Sequence, residues 1–127
     1  MIVLDASALL ALIIGEPGSE VVERAAAEDD TTISAINYSE ALQKATRHGV
    51  APEDVDAALD TLGVTVSPFG RLDARLAASF YHHRSGLSLA DRVCLALARS
   101  LASPAFTTDR LWQSWADDLG VRVTVIR

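Results

Sequence analysis

Met1-Ile2-Val3-Leu4-Asp5-Ala6-Ser7-Ala8-Leu9-Leu10-Ala11-Leu12-Ile13-Ile14 opens the chain. Three apolar residues, two of them β-branched, run into one acid, and helix formers follow until Gly15 and Pro17 stop them. The opening unit is therefore strand, acid, helix.

The same alternation continues to the end. Helices are expected at Ser19–Glu28, 37–48, Pro52–Leu62, 72–84, 88–101 and 110–119, and further strands at Thr31–Ser34, 64–66, 105–108 and 121–126. Parallel neighbours need crossover connections, which here are the helices. The expected fold is α/β, a three-layer α/β/α sandwich with a mainly parallel five-stranded sheet. Residues 1–127 are read as one domain, in the usual size range.

Half of the residues are apolar and 22% are charged, far from the composition of a disordered chain. The run 8–14 is too short to span a bilayer and lacks the basic lead-in of a signal peptide, so a soluble, cytoplasmic protein is expected, without membrane contact. One cysteine, Cys94, excludes an internal disulfide. Seventeen acids against 11 basic residues give a net charge of −6, which excludes nucleic-acid binding by bulk charge alone.

Four acids stand where a strand gives way to a helix or in a helix's opening turn: Asp5, Glu40, Asp91 and Asp109. In a parallel sheet these points share one edge, where the sites of such folds form. Each acid alone has a plainer explanation. Asp5 and Asp109 suit N-caps, Asn37 with Glu40 and Ser88 with Asp91 have capping-box spacing, and Glu40 can pair with Lys44 one turn on. Together they say more, because carboxylates crowded in apolar sequence repel one another unless a cation offsets them. With no His or Cys in the set, magnesium or manganese is the expected ion.

These residues resemble a family, the PIN-domain ribonucleases, and within it the VapC-type toxins of toxin–antitoxin pairs. The likeness is carried by Ile2-Val3-Leu4-Asp5-Ala6-Ser7, Asn37-Tyr38-Ser39-Glu40, the stretch from Leu87 through Asp91 to Ala98, and Thr107-Thr108-Asp109-Arg110-Leu111-Trp112. The resemblance implies that Asp5, Glu40, Asp91 and Asp109 bind Mg2+, with Mn2+ able to substitute, and act as the catalytic set. It implies an endoribonuclease that cleaves RNA by metal-activated water, a VapB-type antitoxin as partner, and a homodimer. Ser7 and Thr107 match polar positions that orient such ligands. Some members carry a further acid after the fourth; Leu111, Trp112 and Gln113 stand there instead.

Two other readings compete. A metal-dependent phosphatase of the aspartyl-phosphate kind needs a second acid two positions after Asp5, where Ser7 stands. A non-catalytic metal-binding module would use the same acids without turnover. Arg92 and Arg110 are candidates to grip RNA, and equally solvated or acid-paired helix residues. His82 and His83 are expected near a helix C-terminus, and Trp112 with Trp115 on one helix face, in the core or against bases.

Overall fold

Val3 and Leu4 have no exposed surface, so the first strand is covered on both faces. A computed structural model describes residues 1–127. In chain order it holds β1 (Ile2–Leu4), α1 (Ala6–Ile14), α2 (Ser19–Glu28), β2 (Thr31–Ser34), α3 (Ala35–Arg47) and α4 (Pro52–Leu62). There follow β3 (Val64–Ser67), α5 (Arg71–Ser79), α6 (Leu89–Ser100), β4 (Ala105–Thr107), α7 (Leu111–Leu119) and β5 (Val123–Val125).

All five strands are parallel, in the order β3-β2-β1-β4-β5. The chain adds strands on one side of β1, then crosses β1 and adds two on the other. Right-handed crossovers put the helices of the two runs on opposite faces. Accordingly, Ile2 and Leu4 pack with residues of α1 to α4, whereas Val3, one residue out of phase, packs with α5, α6 and α7. The result is the expected three-layer α/β/α arrangement.

Local chemistry sets the element ends. Pro52 stands at the start of α4, where its missing N–H costs nothing, and Glu53 and Asp54 follow in the first turn. Three boundaries differ from expectation by two residues or more. Helix α3 starts earlier, at Ala35, because the Ser34 hydroxyl accepts the Ile36 N–H at 3.2 Å. Asn37 is therefore no cap, the Asn37–Glu40 capping box does not exist, and Glu40 lies in the second turn.

Helix α5 ends at Ser79 rather than continuing to 84. Phe80 turns into the core and the chain then leaves the helix, with Arg84 at φ 60° and Gly86 at φ 80°. His82 and His83 are loop residues, so the expected contact with a helix terminus is corrected. Strand β5 is shorter than 121–126, although the Ile126 N–H still donates to the Thr107 carbonyl at 2.9 Å. No helix is long and apolar enough to cross a membrane.

Candidate active site

The strand order reverses direction between β1 and β4, and in open parallel sheets the crevice beyond the strand C-termini at that point is where sites form. Asp5 leaves β1 there and Thr107 ends β4. Asp5 caps α1 by accepting the Ala8 N–H at 2.8 Å on Oδ1, and the same oxygen accepts the Ser7 hydroxyl at 2.7 Å. Its other oxygen accepts the Thr107 hydroxyl at 2.7 Å. Each hydroxyl is itself fixed from behind. Ser7 Oγ accepts the Thr108 N–H and Thr107 Oγ1 accepts the Asp109 N–H, both at 3.0 Å.

Asp109 follows in the turn into α7, exposed, its Oδ1 accepting the Leu111 N–H at 2.9 Å. Asp91 sits in the first turn of α6, in a reciprocal pair with Ser88. The Ser88 N–H donates to Asp91 Oδ2 at 2.9 Å and the Asp91 N–H to Ser88 Oγ at 3.0 Å. This capping box is the one the spacing predicts. Glu40 lies on α3, half-buried, with Lys44 Nζ at 3.9 Å, a partly exposed contact of small energetic weight.

Helices α3 and α6 are tied together beside these acids. Asn37, 1% exposed, donates from Nδ2 to the carbonyl of Ala90, the residue before Asp91, at 3.0 Å. Its Oδ1 is buried without a donor. The link between the Glu40 helix and the Asp91 helix is invisible in sequence, because Asn37 reads there as a cap.

The electrostatics join the same residues. Burial pushes the Asp5 carboxyl up from 3.8 to about 6 against the pull of Ser7, Thr107 and Ala8, and the charge of Asp91 adds to the rise. Asp91 is raised as well, chiefly by burial, with Asp109 raising it further and Ser88 and Lys44 opposing. Beneath them the Cys94 thiol is held well above its ordinary range by burial and by the charges of Asp5, Asp91 and Glu40. Asp5, Asp91 and Asp109 form no ion pair with any Lys or Arg.

A buried carboxylate without a cationic partner, among oxygen donors only, fits a hard divalent cation. No three His, Cys, Asp or Glu side chains stand close enough to form a ready-made cage. Magnesium does not require one, since it keeps several waters and takes one or two carboxylates. Asp5 accepts three hydrogen bonds, whereas a carboxylate can take about four, and Asp91 and Asp109 each accept one.

Other candidates divide clearly. Arg92 donates to the Ala77 carbonyl at 3.0 Å and lies over the Tyr81 ring at 5.4 Å, so its head is committed to the last turn of α5 and the loop after it. Arg110 is exposed and free of ion pairs. Trp112 is fully buried in the core, while Trp115 is half-buried and stacks on His82 at 4.9 Å.

Comparison with known proteins agrees with the fold. The family model of the PIN domain matches residues 2–117. A VapC ribonuclease of Mycobacterium bovis and ribonuclease VapC42 of Mycobacterium tuberculosis are each 31% identical over 113 residues, spanning 80% of this chain and 86% of the relative. The chain belongs to the PIN-domain family, in its VapC ribonuclease branch, and is a nuclease. Nucleases of this kind generally depend on a divalent metal.

Solved structures share the fold. Mycobacterium tuberculosis VapC20, a toxin that cleaves the sarcin-ricin loop, superposes with a TM-score of 0.72 at 20% identity, over 90% of this chain and 95% of that one. A toxin–antitoxin complex from Klebsiella pneumoniae gives 0.72 at 17% identity, over 100% and 98%.

Proposed function

We propose that residues 1–127 act as a single magnesium-dependent endoribonuclease domain, the toxin of a toxin–antitoxin pair. Asp5, Glu40, Asp91 and Asp109 hold Mg2+, or Mn2+ in its place, and are the catalytic set. The observation that carries this reading is the uncompensated Asp5 carboxylate, buried at the point where the strand order reverses.

A cation held there would activate water for in-line attack and offset the charge of the phosphate oxygens. The chain's own groups do the rest. Ser7 and Thr107 hold both Asp5 oxygens in place, so the cation meets a ligand that need not reorganise. Asp91 Oδ1 accepts no hydrogen bond within the protein, which leaves that oxygen open to take the proton of the attacking water.

The partner is a VapB-type antitoxin whose basic side chain complements the acidic edge, and the toxin acts as a homodimer in the cytoplasm, where its RNA is. Purified protein incubated with RNA and Mn2+ should yield discrete ends that disappear with chelator or in Asp91→Asn. Release of phosphate from a small phosphomonoester with no RNA cleavage would instead favour the phosphatase reading. Absence of any rise in melting temperature with Mg2+ or Mn2+ would sink the metal site.

A further inference from the structure

The acidic edge cannot itself attract a polyanion, so something beside it must hold the RNA. Between Asp73 and Asp91 the chain carries no acid, and within that stretch Tyr81-His82-His83-Arg84 is a run of four consecutive exposed residues. The segment leads directly into Ser88 and Asp91 and lies against the start of α7. Leu111 packs on Gly86, where a Cβ would meet its side chain at 2.7 Å, and the Asp109 carboxylate holds the Leu111 N–H. The loop therefore runs between two of the four acids.

It is also held in shape. Trp115 donates from its indole nitrogen to the Ser85 carbonyl at 3.2 Å, and the His82 ring stacks on Trp115 at 4.9 Å with 25° between planes. The Arg92 guanidinium lies over Tyr81, which remains 59% exposed. Flat rings fixed at the mouth of a site are what single-stranded nucleic-acid binders use, since every base offers a face for stacking.

We infer that residues 81–86 form the lip that receives the RNA strand: an unpaired base stacks on the His82–Trp115 pair or on Tyr81, and Arg84 meets the adjoining phosphate. This rests on the nuclease reading above and adds to it how the site chooses its strand.

The test measures binding of a short, unstructured, dye-labelled RNA in chelator, by fluorescence anisotropy. His82→Ala and Tyr81→Ala should each weaken binding roughly tenfold, the scale of one lost stack. His82→Phe should restore binding, and RNA should quench the Trp115 emission, which Trp115→Phe abolishes. In cleavage assays KM should rise more than kcat falls, with the cation-induced rise in melting temperature kept. Equal binding by all variants overturns the inference. So does equal affinity for a duplex of the same sequence, or a change in self-association alone, which would assign the lip to a second copy of the chain. If the parent binds RNA through this lip yet cleaves none with metal, the proposed function fails and the lip stands. If it cleaves and the variants bind alike, only the lip fails.

Discussion

Thr107 and Asp5, 102 positions apart in the chain, are joined by a hydrogen bond of 2.7 Å between two buried side chains. The bond crosses from the end of β4 to the end of β1 at the reversal of strand order, and Thr107 passes it on to the Asp109 N–H. One hydroxyl thus sets the attitude of two of the four acids.

Thr107→Val keeps the shape and removes the hydroxyl, leaving the Asp109 N–H and one Asp5 oxygen without their partner. Stability should fall by about 2–3 kcal/mol, the cost of unpaired buried polar groups. Thr107→Ser should recover most of it. Urea denaturation of the three proteins measures both effects, and a neutral Thr107→Val would show that water replaces the hydroxyl.

Asp5 also predicts a pH dependence. Its carboxyl titrates near 6 when folded and near 3.8 when exposed. Between those values the folded protein binds the proton and the unfolded chain does not, so this group's contribution falls as pH rises from 3.8 to 6. The full effect is on the order of 3 kcal/mol. Without added cation, Asp5→Asn should be more stable than the parent at pH 8 and match it more closely at low pH. Denaturation across that range gives the difference directly, and an unchanged difference would refute the assignment.

Asn37 predicts a separation of stability from cation response. Its Nδ2 holds Ala90, while its Oδ1 is buried and unsatisfied. Replacing an incompletely paired amide by an apolar group of similar shape costs little, so Asn37→Leu should change stability by less than about 1 kcal/mol. The tie between α3 and α6 is lost all the same. The rise in melting temperature with Mn2+ should shrink; an undiminished rise would leave Asn37 with no part in the site.

Cys94 reports on the site's integrity. Fully buried, with its thiol held neutral by burial and by three nearby carboxylates, it should resist thiol-reactive dyes in the native protein and react fully in denaturant. Labelling without denaturant would mean that the base of the acidic edge opens.

Much of this was open to reading in the primary structure. Apolar triplets ending in an acid, helices with caps at either end, and the Ser88–Asp91 spacing are local features, governed by residues within a turn of one another. They are enough for a mainly parallel five-stranded sheet in a three-layer sandwich and for naming Asp5, Glu40, Asp91 and Asp109 as one group. Local rules misplaced the start of α3 and the end of α5, because Ser34 competes with Asn37 as a cap and burial of Phe80 outweighs helix propensity beyond it.

What local rules could not supply are the contacts between distant residues: Thr107 on Asp5, Asn37 on Ala90, His82 on Trp115. Each depends on strand order and on the direction in which a side chain leaves its element. Those are settled when two layers of helices close over the sheet, since only then is water excluded and a buried polar atom forced to find a partner.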